Sequence, residues 1–188
     1  MYAGLSHAAW GYFFLNFDFN LGTVSIFPRF VGYILFFLAI TKLADERRDL
    51  KLLRPLCILL GMWSAGDWAL SWGGGDIDGH VLFLDLLIAA AGLYFQFQLL
   101  TDMAALAETY QEGDLDARLR RRRTVYVVLV TVTALISALP EGTLLGDWQS
   151  WIAVGLTLIA CVVSLTIMAG LFQLRRCFRA PADAPPEI

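Results

Sequence analysis

Histidine, cysteine and charge are all scarce in this chain, and each scarcity removes a class of function. Only two histidines occur in 188 residues, His7 and His80, so no H-E-x-x-H or other His-rich metal set can form. There is no G-x-S-x-G, and Gly73, Gly74 and Gly75 are followed by no G-K-[ST], so serine-hydrolase and phosphate-loop signatures are missing too. Cys57, Cys161 and Cys177 stand singly, without C-x-x-C or a metal-ligand spacing, and read as small apolar residues in or near helices. No metal or cofactor is therefore expected, and an intramembrane enzyme is the least supported class. Residues 1–12 hold no Lys or Arg, so the positive n-region of a cleavable signal peptide is not visible.

Charge is low as well: 16% of residues are charged and 58% hydrophobic, where a soluble domain has about 25% and about 45–50%. Mean hydropathy is +0.63. The apolar residues gather into long runs with almost no Lys or Arg, the pattern of an all-α integral membrane protein. Five segments are long and apolar enough to cross a bilayer: 28–44, 54–72, 80–101, 124–140 and 149–174. At about 1.5 Å per residue they reach about 25–39 Å, matching a hydrocarbon core of about 30 Å. In lipid, each must satisfy its own backbone groups, which makes it a helix.

The basic residues set the orientation. Of the 14 Lys and Arg, all but Arg29 fall in residues 42–54, 114–123 or the tail from Arg175. The alternate loops, GGGDIDG at 73–79 and PEGTLLGDW at 140–148, have none. The positive-inside rule places those loops outside and the C-terminus in the cytoplasm, in a multi-pass protein of the cell membrane. Trp68, Trp72, Trp148 and Trp151 fall at the outer helix ends, where an aromatic belt is expected.

Three regions follow: an N-terminal segment 1–27, a helical bundle 28–174, and a Pro-rich, disordered cytoplasmic tail 175–188. Residues 1–27 are aromatic but diluted by Gly, Asn and Asp18. They read as an interfacial or re-entrant helix on the outer side, with five spans; the alternative is a short sixth span entering from the cytoplasm. RLRRRR at 118–123 directly abuts a span. Arg118, Arg120, Arg121, Arg122 and Arg123 are expected to hold anionic lipid at the inner leaflet, and no nucleic acid.

The outer face is acidic, with Asp18, Asp67, Asp76, Asp78, Asp85, Glu141 and Asp147 opposed by little positive charge, and would draw cations. Two of these acids lie inside spans, where an ionised carboxylate must face protein or water rather than lipid. Asp67 shares a helix face with Ser64 and Ser71, at i−3 and i+4. Asp85 shares one with Ala89, Gly92 and Gln96, since eleven residues turn the helix to within about 20° of three full turns. A ligand site is expected at Asp85, Gln96, Asp67, Asp18, Ser64 and Ser71, in a bundle that binds or transports a small solute or cation. The alternative is a non-enzymatic accessory or scaffold subunit, which would meet its membrane partner along the small-residue seam Gly61, Ala65 and Ala69.

Overall fold

A computed structural model describes residues 2–17, 20–21, 24–25, 28–44, 46–72, 82–110, 114–137 and 148–177. Among these residues the secondary structure is helical apart from one very short ladder. The order is α1 (Tyr2–Asn16), β1 (Asn20–Leu21), β2 (Val24–Ser25), α2 (Arg29–Leu43), a 3₁₀ turn (Arg48–Leu52), α3 (Leu53–Ser71), α4 (Leu82–Tyr110), α5 (Leu115–Ser137) and α6 (Trp148–Cys177). The two strands pair antiparallel, Asn20 with Ser25 and Leu21 with Val24. Asp18, the loops 73–79 and 140–147 with their acids, and the tail from residue 178 lie outside the described residues.

Local chemistry fixes several ends. Pro28, at the N-cap of α2 with φ −66° and ψ 127°, supplies the extended residue from which the helix starts. The last turn of α2 carries Lys42, which complements the helix dipole, and Leu43 O accepts from the Glu46 and Arg47 amides. Pro55 falls in the first turn of α3, where a missing N–H costs nothing. α4 runs on through MAALAETY to Tyr110, as the sequence suggests, and α5 starts directly after Asp114, whose carbonyl accepts from the Arg118 amide at 3.0 Å. α5 begins nine residues before the span read from the sequence, because the basic run is itself helical.

The first helix packs lengthwise and antiparallel along α2, with its start at the basic end of the bundle. A Cβ on Gly4 would meet the Leu43 side chain, while Gly11 and Gly32 oppose each other further along. A Cβ on Gly32 would sit 3.0 Å from Gly11 O and 3.2 Å from the Leu15 amide, so only glycine permits this backbone approach. α1 also lies on the second half of α6: Trp10 meets the Phe172 ring edge-on at 6.4 Å, and Arg175 stacks 4.0 Å above Tyr2 and donates to the Tyr2 hydroxyl. The far end of α1 reaches only the middle of α5, where Asn16 meets Tyr126. With 15 residues each, α1 and α2 are about 22 Å long and form a hairpin against the basic-end half of longer helices.

Tyr12, Phe36 and Phe95 join α1, α2 and α4 through edge-on ring contacts of 5.5 Å each. Around them sits a core including Leu5, Ile40, Leu99, Met103, Leu119 and Leu171, all fully buried. The exterior is apolar as well: Met62, Leu86, Leu135 and Leu158 are 71%, 68%, 64% and 63% exposed. Two helices, over Leu84–Tyr110 and Trp151–Arg176, are long and apolar enough to cross a membrane. Only 17% and 11% of those windows are buried, unlike the core helices of a soluble protein. α1 and α2 are too short to meet that measure, and the arginine run makes α5 polar as a whole.

Candidate functional site

At the far tip of the α1–α2 hairpin, four helices bring polar side chains together inside the bundle. Tyr126 of α5, 5% exposed, donates its hydroxyl proton to Asn16 Oδ1 at the end of α1. Asn16 in turn donates from Nδ2 to Tyr12 O at 2.9 Å, which closes the last turn of α1 and fixes the amide's orientation. The Gln96 side chain of α4 lies within hydrogen-bonding reach of the Tyr126 hydroxyl. Tyr12 and Tyr33 stand in the neighbourhood of Tyr126, as does Cys161 of α6. Tyr33 of α2 is held from behind, where Cys57 Sγ donates to Tyr33 O at 3.2 Å and the Gly61 backbone lies against its Cβ.

Two polar atoms of this cluster have no partner among the described residues. The Tyr12 hydroxyl belongs to a residue only 1% exposed, and Gln96 Oε1 is equally shut off from solvent. A buried polar atom left unpaired costs about 1–3 kcal/mol, so each requires a reason. Phenol hydroxyls and carboxamides donate and accept without carrying charge, a set suited to the hydroxyl, carbonyl or amine of a small solute.

The residues nominated from sequence fall in three groups. Gln96 is in the cluster. Gly92, on the same face, points at Tyr33: a Cβ there would be 3.9 Å from the hydroxyl. Asp85 and Asp67 are half-buried, in the first turn of α4 and the last half of α3, nearer the end opposite the basic residues. Ser64 and Ser71 are half-buried on α3, and the Ser71 hydroxyl is satisfied within its helix, donating to Trp68 O at 2.7 Å. Asp18 lies outside the described residues. Gly61 of the small-residue seam packs on Tyr33 of the same chain, Ala65 is half-buried, and Ala69 is exposed.

Tyr12, Asn16, Tyr33 and Tyr126 were not nominated. Tyrosine and asparagine in apolar runs read as interfacial residues unless the helix partners are known, and Asn16 with Tyr126 is a pairing across 110 positions. Asp102 was also passed over. It is 4% exposed, accepts from Gln98 Nε2 at 3.4 Å, and leaves Oδ2 without a partner. The Gln98–Asp102 pair at i, i+4 was the available signal.

The basic run divides by partner. Arg120 pairs with Glu108 and, at 4.0 Å, with Asp116. Arg123 stacks 4.1 Å above the Phe97 ring and donates to Thr101 Oγ1 at 2.6 Å. Arg122 Nη1 donates to Thr166 O of α6 at 2.6 Å.

The described residues contain no group of three or more His, Cys, Asp or Glu placed to hold a metal ion. Comparison with protein-family models, with curated proteins and with solved structures finds no match.

Proposed function

We propose that this chain is a multi-pass membrane protein that binds a small polar or cationic solute, for transport, in a site reached from its acidic outer end. In this reading α3, α4, α5 and α6 cross the bilayer, and the α1–α2 hairpin enters from the cytoplasmic side and stops near mid-depth. The apolar exterior supports membrane embedding. The Lys and Arg distribution supports a cytoplasmic basic end, and Trp72, Trp148 and Trp151, 65%, 73% and 72% exposed, suit an outer aromatic belt. Non-helical backbone is tolerated at membrane depth only where protein buries it or where it lines a water-filled cavity. The described backbone between α1 and α2 is a two-residue ladder rather than a helix, which favours a polar interior beside it. Asp67 and Asp85 would line the approach and concentrate cations, with Tyr33, Gln96, Tyr126, Asn16 and Tyr12 as its floor.

The observation that carries this reading is the pair of buried, unpartnered atoms, Tyr12 Oη and Gln96 Oε1, in one cluster. A thermal-shift screen of small polar solutes against the detergent-solubilised protein tests it. A stabilising solute should lose its effect in Gln96→Leu and in Asp85→Asn, both still folded. A solute whose effect survives both substitutions would remove the site.

A second reading, an accessory subunit, draws on the loose seam between α3 and α4. An apolar groove of about 720 Å³ opens there, lined by Leu59, Met62, Trp63, Leu87 and Ala91 among others. Co-purification of a membrane partner that Ala65→Leu disrupts would favour it.

A further inference from the structure

Beyond the solute site, and resting on the membrane reading above, we infer that Arg118, Arg121 and Arg122 form a discrete binding site for the phosphate of an anionic phospholipid, whose acyl chain lies along the α5–α6 seam. The sequence shows a block of arginines without distinguishing among them. The structure does so, because Arg120 and Arg123 are committed to partners within the chain.

The other three stand at i, i+3 and i+4, on one face of α5, and line a pocket of about 290 Å³ with Val125, Val163 and Thr166. Among the described residues no carboxylate lines it, so three guanidinium groups converge without a described anion beside them. Arg118 and Arg121 are exposed, and Arg122 is half-buried.

Arg122 is fixed rather than free. One guanidinium nitrogen donates to Thr166 O at 2.6 Å, which leaves its remaining donors for a ligand. Its guanidinium packs closely over Gly170, where a Cβ would come within 3.3 Å of Arg122 Nη1 and 3.0 Å of Leu119 Cδ2. The fork of a guanidinium matches phosphate oxygens in pairs, so three around one pocket suit a phosphate.

The apolar side of the site names the source of that phosphate. From Val125, helical spacing continues the face through Val128 and Val132, 55% and 38% exposed. From Val163 on α6 it continues through Ile159, 52% exposed, to Gly155, where a Cβ would meet nothing within 4 Å. A cationic pocket at the head of an open apolar seam fits a headgroup joined to a chain, and basic pockets between helices at the cytoplasmic side are where anionic headgroups bind. A free phosphate or a nucleic acid would use the arginines and leave the seam idle.

The test is native mass spectrometry of the detergent-solubilised protein, titrated with phosphatidylglycerol, phosphatidylcholine, inorganic phosphate or a short single-stranded RNA. Phosphatidylglycerol should bind at least tenfold tighter than phosphatidylcholine. R118Q/R121Q should weaken it on the order of 10–30-fold, at about fivefold per arginine. The charge-matched control K42Q/K51Q, at exposed lysines outside the pocket, should change it less than twofold. G170A, which displaces Arg122 without altering charge, should weaken it as well. Equal losses in R118Q/R121Q and K42Q/K51Q would reduce the site to general electrostatics and overturn the proposal. So would equal affinity for inorganic phosphate or tighter binding of RNA. Reconstitution into vesicles separates the two readings: a chain that does not float with lipid refutes membrane embedding, whereas one that floats but shows no R118Q/R121Q effect refutes only this site.

Discussion

Replacing Tyr126 by Phe removes one oxygen atom and tests whether the interior cluster is a network. In the wild type that oxygen donates to Asn16 Oδ1, which joins α5 to α1 beside Gln96 of α4. Hydrogen bonds between membrane helices measure about 0.6 kcal/mol on average and up to about 1.7. Losing the Asn16 bond and leaving Asn16 Oδ1 unpaired therefore costs about 1–3 kcal/mol. For a chain of this size, that lowers the melting temperature by about 3–10 °C. Tyr12→Phe makes the same chemical change in the same cluster, but the Tyr12 hydroxyl has no partner among the described residues. Its removal should leave stability within about 0.5 kcal/mol, or raise it by relieving a buried unpaired group. Thermal unfolding of both variants in one detergent, followed by tryptophan fluorescence, provides the comparison. A Tyr126→Phe protein as stable as wild type, or equal destabilisation by the two substitutions, would refute the network.

Three further outcomes follow from particular contacts. Gly32→Ala should destabilise by about 1–3 kcal/mol, because both clashing atoms are backbone and cannot move aside. Gly155→Ala, facing open space, should be neutral; equal effects in the same melts would show that the α1–α2 approach is not close. Arg123→Leu should lose the Phe97 stack and the Thr101 bond and destabilise by about 1 kcal/mol, with Arg123→Lys recovering part of it. An epitope joined to the N-terminus should be reached by antibody only in permeabilised cells, since Tyr2 and Ser6 are held by Arg175 at the basic end; labelling of intact cells would invert the proposed topology.

The long helices were legible from composition because an apolar run interrupted by charge marks its own ends. Pro28, Lys42 and the arginine pair ending α6 mark boundaries that the structure places within a residue or a few. Packing was less legible. His7, Gly4 and Gly11 make the N-terminal segment look too polar and too flexible for an interior helix. Yet these glycines are what let α1 approach α2, and that property shows only when Gly32 is seen opposite Gly11. The site divides the same way. Gln96 stood out because an amide in a span must face something polar, whereas Tyr126 and Asn16 gain meaning only from each other. Spacing could align Asp85 with Gln96 on one helix face, but it could not say which neighbouring helix completes the cluster.

The central claim is that the polar interior opens toward the acidic end. It is tested most directly by placing a cysteine at Gly92, in a chain whose own cysteines are replaced by Ser or Ala. The Cβ of the new side chain would lie in ordinary contact with the Tyr33 hydroxyl, at 3.9 Å. A small cationic, membrane-impermeant thiol reagent should modify Gly92→Cys from outside intact cells. It should react faster than an anionic analogue of the same size, and that advantage should shrink as salt rises. A cysteine at the buried Leu99 should stay unmodified. Gly92→Cys that reacts only from the cytoplasmic side, or from neither side in the folded protein, would contradict the account.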